Sequence, residues 1–134
     1  MTHERGLIDT SVAIALEVVA LERLPSEVAI STLTLAELTS GPVAALTPVA
    51  RAQRQDHLQR IEAGIESLDF DPVCARAYGR VSAAFHRIGR KPRGARAVDL
   101  MIAATALAHG LPLYTRNAAD LRGLEGLIEI VDVA

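Results

Sequence analysis

Three acidic side chains stand where carboxylates could do chemistry. Asp9 ends a short apolar run, and Glu37 lies one turn into a predicted helix. Asp99 is the one charge in the otherwise apolar stretch Ala97–Leu107. A carboxylate at the start of a helix commonly caps it, which stabilises the helix by about 0.5–2 kcal/mol. Carboxylates that converge on one place repel one another instead, and a bound cation relieves that repulsion. The alternatives to a cation site are a helix cap for Asp99, a turn former for Asp9 and a partner of the helix dipole for Glu37, and the sequence leaves them open.

Convergence of these acids would create a site for a hard metal ion. The candidate ligand atoms are carboxylate oxygens, and none of the four histidines has the spacing of a metal ligand. Oxygen ligands without His or Cys favour Mg²⁺ or Mn²⁺. Such a site suits the hydrolysis of phosphodiester bonds, because the metal charge acidifies a bound water and stabilises the leaving oxygen. Asn117, which follows a predicted strand ending at Thr115, is expected to face the same region.

The order of the predicted elements is what would bring these residues together. Apolar runs bounded by turn residues predict strands, and apolar positions at helical spacing predict helices between them. Strands that alternate with helices form a parallel sheet covered on both faces, with functional groups beyond the carboxyl ends of the strands. We therefore expect one α/β domain over residues 1–134. Its predicted strands are Gly6–Asp9, Val28–Ser31, Leu68–Phe70, Leu111–Thr115 and Leu127–Val131.

Capping and breaking residues set the expected limits of the helices. The second helix is expected to be capped by Thr34 and to be broken or kinked at Gly41-Pro42, because proline cannot donate a helical hydrogen bond. Gly110 is the expected stop of the central helix, and Asp99 is expected near its start. The predicted helices are Val12–Leu21, Leu35–Leu46, Pro48–Ser67, Pro72–Ile88 and Ala97–His109.

Composition narrows the class of protein. Half of the 134 residues are hydrophobic and few are aromatic, so the core must consist of Ala, Leu, Val and Ile. The apolar run Leu7–Leu21 is interrupted by Asp9 and Glu17, so no membrane span is expected. The first residues, MTHERG, lack the basic region of a signal peptide, and a cytoplasmic location is expected. Cys74 is the single cysteine and can form no internal disulfide.

The net charge of −2 hides a basic segment in the middle of the chain. Residues 51–96 hold ten basic and five acidic residues, whereas residues 1–50 hold two basic and six acidic ones. Thirteen of the fourteen basic residues are arginines, whose planar guanidinium group suits bidentate contact with phosphate. The tightest run, HRIGRKPRGAR from His86 to Arg96, contains Gly and Pro and leads directly to Asp99. We interpret this run as a basic loop beside the acidic edge.

Four motifs in order resemble a known family. They are LIDTS at residues 7–11, LAEL at 35–38, VDLMIAATA at 98–106 and TRNAADL at 115–121. Each motif alone is common, but the ordered set covers essentially the whole chain and is similar to that of the PIN-domain ribonucleases, above all the VapC toxins of bacterial toxin–antitoxin pairs. The resemblance implies a three-layer α/β/α fold with a five-stranded parallel sheet.

The resemblance also implies an activity, its cofactor and its partners. It implies an endoribonuclease that depends on Mg²⁺, with Mn²⁺ as a substitute, that forms a homodimer and is neutralised by a VapB-like antitoxin. The first, second and third acids of the family fall on Asp9, Glu37 and Asp99, of which we expect Asp9 and Asp99 to be the primary metal ligands. Many members have Asp where this chain has Asn117, and an uncharged amide would weaken a second metal site. Asp120 is the other candidate for the fourth position.

The resemblance gives the basic loop a role as well. A phosphate backbone beside an acidic site needs neutralising charge, and arginine supplies it. The chain has only four aromatic side chains, so we expect contacts with the RNA backbone to outweigh base stacking. The candidate RNA-binding residues are Arg90, Lys91, Arg93, Arg96 and Arg116.

Two other functions are compatible with parts of the sequence. A PIN-like module that has lost efficient hydrolysis would still bind RNA or a partner, and Asn117 is the feature that favours it. A phosphotransfer domain also uses an Asp after a strand. However, the haloacid-dehalogenase type needs a second Asp where this chain has Ser11, and the receiver type needs a later Lys, which here is only Lys91 of the basic loop. Metal-dependent cleavage of purified RNA would distinguish the enzyme from the binding module.

Overall fold

The five strands of the protein form one parallel sheet in a computed structural model that describes residues 3–134. The order across the sheet is β3-β2-β1-β4-β5, so the chain moves outward from β1 on one side and then returns to pair β4 with the other edge of β1. The described strands thus form a single sheet, whereas one domain over residues 1–134 stays a prediction; Met1 and Thr2 lie outside the described residues. The strands are β1 Arg5–Ile8, β2 Glu27–Ser31, β3 Glu66–Leu68, β4 Leu113–Thr115 and β5 Ile130–Asp132.

Helices connect the strands and cover both faces of the sheet, as the α/β pattern predicted. Two short 3₁₀ helices, Leu21–Arg23 and Ala118–Leu121, complete the described elements. None of the helices formed by residues 3–134 combines the length and the apolar composition needed to cross a membrane. The helices are α1 Thr10–Ile14, α2 Thr32–Ala44, α3 Pro48–Gly64, α4 Pro72–Arg87 and α5 Ala95–His109.

The sheet separates two hydrophobic cores. Successive residues of a strand point to opposite faces, so Leu7 belongs to one core and Ile8 to the other, and both are fully buried. The first core packs α4 and α5 against the sheet, with Phe85 and Leu100 completely buried in it. The second packs α1, α2 and α3 against the opposite face. These two cores hold β1 rigidly at the centre of the molecule.

The first helix is much shorter than the predicted Val12–Leu21. It ends at Ile14, and residues 15–18 continue as hydrogen-bonded turns. Only some of the apolar residues that suggested a longer helix reach the core: Leu16 and Val19 pack against the second core, whereas Ile14 and Val18 are 65% and 76% exposed. Apolar content indicated a buried helix here, but the residues after Ile14 form turns that are only partly buried.

Other boundaries also differ from the prediction, and α3 ends at Gly64 where Ser67 was expected. Helix α2 is capped by Ser31, not by Thr34, and it continues through Gly41 and Pro42 to Ala44. Pro42 lies in the last turn, where the loss of its donor removes only one hydrogen bond. Strand β3 lies two residues earlier than predicted, and β5 three residues later at its start, because pairing with β2 and β4 sets their register.

The central helix begins at Ala95, four residues before Asp99. Its N-cap is Gly94, which adopts a positive φ of 59° and contributes no side-chain hydrogen bond. Asp99 therefore lies in the second turn and does not cap the helix, which excludes the capping interpretation. Gly110 ends the helix in the left-handed conformation, as predicted.

Candidate functional site

Two acids of the sequence pattern share a small pocket between β1 and β4. The order of the sheet reverses at this pair of strands, and such a switch point is where ligands bind in open α/β sheets. The pocket has a volume of about 40 Å³, enough for a few water-sized groups. Carboxylates and other oxygen-bearing side chains dominate its lining, which comprises Asp9, Ser11, Asp99, Leu113, Thr115, Asn117, Asp120 and Leu121.

Asp9 is held in place at the carboxyl end of β1. Its backbone N–H donates to the carbonyl of Tyr114, which extends the ladder by one bond beyond the strand. Its Oδ1 atom accepts hydrogen bonds from the N–H of Val12 at 3.1 Å and from the hydroxyl of Ser11 at 2.6 Å. Asp9 thus caps α1 with one oxygen, and its Oδ2 accepts no hydrogen bond from residues 3–134 and is free to bind a cation.

Ser11 links the two loops that frame the pocket. While it donates to Asp9, its Oγ accepts the backbone N–H of Arg116 at 3.0 Å. The adjacent backbone N–H of Asn117 donates to the Thr115 hydroxyl at 3.0 Å. The loop after β4 is therefore tied to the loop after β1, so the positions of Asp9 and Asn117 depend on each other.

Asp99 is a half-buried carboxyl surrounded by other acids. Its pKa is raised from 3.8 to about 6, first by burial and then by the charges of Glu37, Asp9 and Asp120 in that order, while Arg96 opposes them. A carboxylate that is unfavourable in its ionised form is stabilised by a positive charge placed beside it. The four acids consequently form one electrostatic cluster, even though their side chains do not all meet.

Glu37 faces the next cavity. Its carboxylate accepts the hydroxyl proton of Thr10 at 2.5 Å, and the Thr10 oxygen lies 3.1 Å from the hydroxyl of Thr34. Glu37 lines a larger cavity of about 450 Å³ between α1, α2 and α3, whose walls are otherwise Ile14, Leu38, Gly41, Gln53, Arg54, His57 and Leu58.

The basic loop is partly occupied by its own contacts. The guanidinium of Arg90 lies over the Phe85 ring, 4.2 Å from the centroid, and donates to the carbonyl of Arg122 at 3.0 Å. Burial, followed by the charges of Arg96 and Arg122, lowers the pKa of Arg90, although it stays charged at neutral pH. Arg96 lies 3.9 Å from Asp120. The side chains of Lys91, Arg93 and Arg116 are exposed.

The donor set of the pocket fits a hydrated Mg²⁺ ion. Within residues 3–134, no three acidic, histidine or cysteine side chains lie close enough together to ligate one ion. Mg²⁺ usually keeps several waters and binds through one or two carboxylates together with substrate phosphate, so the pair Asp9 and Asp99 satisfies its requirements. Burial and the neighbouring carboxylates together raise the pKa of Asp99, so a cation bound beside it would stabilise its ionised form.

Sequence reasoning did not assign the side chains that support the acids. Asp9 is the cap of α1, and the two hydroxyls that follow it, of Thr10 and Ser11, orient Glu37 and Asp9. A signal was present, because two hydroxyls directly after an acid at a strand end can reach that acid or its neighbours. His57 was also missed: its Nε2 donates to the carbonyl of Ala13 at 2.8 Å and fixes the end of α1.

Comparisons with known proteins identify the family and the fold of this chain. The sequence model of the PIN domain matches residues 6–124. Ribonuclease VapC5 of Mycobacterium tuberculosis is 37% identical over 98% of this chain and 98% of its own length. Among solved structures, a VapBC-5 toxin–antitoxin structure from M. tuberculosis matches with a TM-score of 0.82 and 37% identity, covering 97% of this chain and 99% of that one. A DNA-bound VapBC from Salmonella typhimurium matches with a TM-score of 0.73, 29% identity and full coverage of both chains.

Proposed function

This chain belongs to the PIN-domain family and, within it, to the VapC group, and on that basis we propose that it is a metal-dependent endoribonuclease and the toxin of a toxin–antitoxin pair. The observation that carries the proposal is the pocket at the switch point, where Asp9 and Asp99 face the same small volume. It is supported by the ribonuclease VapC5, to which the chain is similar over nearly its full length.

Asp9 and Asp99 are the residues that would hold Mg²⁺, or Mn²⁺ in its place. When bound, the metal supplies positive charge at the scissile phosphate and acidifies a water for attack. Ser11 keeps the second carboxylate oxygen of Asp9 directed away from α1 by occupying Oδ1. Asn117 and Asp120 line the same pocket and provide an uncharged and a charged oxygen at the fourth position.

Glu37 is proposed to act from the side of the neighbouring cavity. Its charge contributes to the raised pKa of Asp99, and its bond to Thr10 places it beside Asp9 in space. A carboxylate in this position orients and deprotonates a water at the edge of the pocket. The three acids of the pattern therefore have distinct roles: two bind the metal and one positions the water.

RNA is the proposed substrate, and exposed basic side chains are proposed to contact its phosphate backbone. Arg93 and Lys91 are free of contacts with other side chains in residues 3–134, while Arg116 directly precedes Asn117 of the pocket. Arg96, which lies on the same side as Asp120, is the arginine nearest the pocket acids. Arg90 belongs to this surface by charge, but its stacking on Phe85 assigns it mainly to holding the loop.

The proposed partners are a VapB-like antitoxin and a second copy of the chain. The structures similar to this chain include VapBC complexes, which supports an antitoxin partner. The protein also exposes a set of large apolar side chains, and contiguous apolar surface marks sites of association. The apolar residues exposed on and after α1 and around the turn between α2 and α3 are Ile14, Val18, Leu21, Val43, Leu46 and Val49.

Cleavage of purified RNA tests the proposal. The wild-type protein should cleave RNA in Mg²⁺ or Mn²⁺ and stop when EDTA is added, whereas Asp99→Asn should be inactive with its fold intact. Co-expression with the cognate antitoxin should restore growth to cells that express the protein.

Asn117 and the lack of a three-acid ligand set within residues 3–134 favour one other function, an RNA-binding module without hydrolysis. Metal-independent RNA binding without any cleavage would establish that function and overturn ours.

A further inference from the structure

One of the acids that line the pocket, Asp120, forms an ion pair with Arg96. Nη2 of Arg96 lies 3.9 Å from Oδ1 of Asp120, with the two side chains 39% and 55% exposed. Asp120 lines the pocket together with Asp9 and Asp99, and within residues 3–134 it makes no other ion pair. The one acid that could supply a third charged ligand is therefore paired with a cation in the free protein.

Arg96 is held weakly and has a competing neighbour. Its guanidinium lies 6.0 Å from the centroid of the Phe85 ring, whose face is already taken by Arg90 at 4.2 Å. Arg90 is anchored by its bond to the carbonyl of Arg122, so it does not yield its place. Because the two guanidinium groups repel each other, Arg96 is the side chain that can leave when another anion is offered.

We propose that Arg96 is a positioning residue that keeps Asp120 at the rim of the pocket until a phosphate of bound RNA draws Arg96 away and frees Asp120 to join Asp9 and Asp99. The inference rests on the proposed function, because it takes RNA as the ligand and a divalent metal as the ion. It makes Asp120 the fourth acid of the site, while Asn117 lines the pocket beside it as an uncharged side chain.

The direction of this exchange follows from the relative strength of the two pairs. A half-exposed ion pair at nearly 4 Å is weak, whereas a phosphodiester offers arginine two oxygens in the geometry of its fork. Before RNA arrives, a third free carboxylate would add to the repulsion between Asp9 and Asp99, which line the same small pocket. The pairing with Arg96 thus neutralises the charge of Asp120 while no metal is bound. The charge of Asp120 becomes available again when substrate and metal are both present.

The binding of Mn²⁺, followed by the electron paramagnetic resonance signal of the free ion, tests the first half of the proposal. Arg96→Gln should bind Mn²⁺ about threefold more tightly than the wild type, the factor that corresponds to an exposed ion pair of about 0.7 kcal/mol. The matched control is Arg93→Gln, which removes the same charge from the same loop at a residue without side-chain contacts. In an Asp120→Asn background, the effect of Arg96→Gln should be smaller than in the wild type, because only the direct charge of Arg96 on Asp99 is then lost.

A cleavage-resistant oligonucleotide, with phosphorothioate and 2′-O-methyl groups, tests the second half. It should tighten Mn²⁺ binding in the wild type by a larger factor than in Arg96→Gln, because the variant has already released Asp120. By linkage, Mn²⁺ must tighten binding of the oligonucleotide by the same factor. Thermal melting checks that each variant is folded, and Arg96→Lys, which keeps the charge and loses the fork, replaces Arg96→Gln if that variant is not.

The possible outcomes separate this inference from the proposed function. Equal effects of Arg96→Gln and Arg93→Gln on Mn²⁺ affinity, or an undiminished effect without Asp120, would overturn the positioning role while wild-type cleavage stands. Failure of the wild type to bind Mn²⁺ and to cleave RNA would overturn both. A threefold gain that depends on Asp120, together with the reduced coupling to the oligonucleotide, supports the proposal.

Discussion

Thr10 and Glu37 are joined by a hydrogen bond of 2.5 Å, in which the hydroxyl of Thr10 donates to the carboxylate. The bond connects the first turn of α1 to the second turn of α2, across the carboxyl ends of β1 and β2. Since Thr10 directly follows Asp9, it fixes the separation between Asp9, the proposed metal ligand, and Glu37, which is proposed to position the water.

Removal of this hydroxyl should impair turnover more than folding. Thr10→Val keeps the shape of the side chain and removes its donor, and a hydrogen bond to a charged group contributes about 1.5–3 kcal/mol. We expect kcat to fall by about tenfold or more, with Mg²⁺ affinity changed much less, while Thr10→Ser stays close to the wild type. Steady-state kinetics over a range of Mg²⁺ concentrations measures both quantities. An unchanged kcat in Thr10→Val would remove Glu37 from the reaction as described.

Asp99 should destabilise the metal-free protein at neutral pH. Its folded pKa of about 6 lies above its unfolded value of 3.8, so the folded state binds the proton more tightly. Stability therefore falls as the pH rises from about 4 to 6 and stays at the lower value above that window. Asp99→Asn lacks this ionisation and should be more stable than the wild type at pH 7 by about 1–2 kcal/mol, after allowance for solvent screening.

Thermal unfolding in EDTA at pH 4 and pH 7 measures this effect. The melting temperature of Asp99→Asn should exceed that of the wild type by about 4 °C or more at pH 7, and the difference should shrink at pH 4. Added Mg²⁺ should raise the melting temperature of the wild type and leave that of the variant nearly unchanged. A variant less stable than the wild type at pH 7 would show that Asp99 contributes to the fold through contacts other than its charge.

The arginines of the basic loop should divide into two groups. Replacing Arg90, Arg93 and Arg96 together by Ala should weaken RNA binding and flatten its salt dependence, by about 0.7 in the log–log slope for every phosphate of a single strand that is no longer neutralised. In single variants, Arg93→Ala should change the slope without changing stability. Arg90→Ala should lower the melting temperature, because Arg90 stacks on Phe85 and bonds the carbonyl of Arg122. Filter-binding assays at several salt concentrations measure the slope, and melting curves of the same samples measure stability. An unchanged slope in the triple variant would show that the loop has a structural role and does not contact RNA.

The position of the acids could be predicted because it follows from topology. Parallel strands end at the same edge, so an Asp directly after β1 and an Asn after β4 must be neighbours once the two strands pair. Helix starts were less predictable. The sequence around Asp99 is typical of a cap, but Gly94 and Ala95 begin the helix one turn earlier, and the choice depends on how the basic loop turns in three dimensions.

Contacts between distant parts of the chain could not be predicted in the same way. Nothing local to Arg90 indicates that it will lie on Phe85 and reach the carbonyl of Arg122, since these contacts require α4 and the loop after the second 3₁₀ helix to be in place. The strand β5 shows the same limitation. Its apolar run LIEIV was found, but the paired residues Ile130–Asp132 are set by β4, which selects one register among several of similar hydrophobicity.

Antitoxin binding and Mg²⁺ binding should compete. The negative charges of Asp9, Glu37 and Asp99 attract a cationic side chain as well as a metal ion, and a partner segment that inserts one would displace the metal. Calorimetric titration with the antitoxin should give a weaker affinity at saturating Mg²⁺ than in EDTA, and Mg²⁺ must bind more weakly to the complex by the same factor. Sedimentation of the protein alone is expected to show a dimer. Antitoxin affinity that is independent of Mg²⁺ would leave steric exclusion of RNA as the means of inhibition.

The central place of β1 also affects how the protein is made. A ribosome that has synthesised the chain as far as Gly110 has already produced Asp9, Glu37 and Asp99, but β1 can pair only with β2 at that stage. Its other edge stays open until Leu113–Thr115 leave the exit tunnel, and the hydrogen bond that joins Ser11 to the backbone of Arg116 forms no earlier. A nascent chain therefore carries its acids without a closed pocket around them. The proposed site is therefore completed only after β4 has left the tunnel and paired with β1.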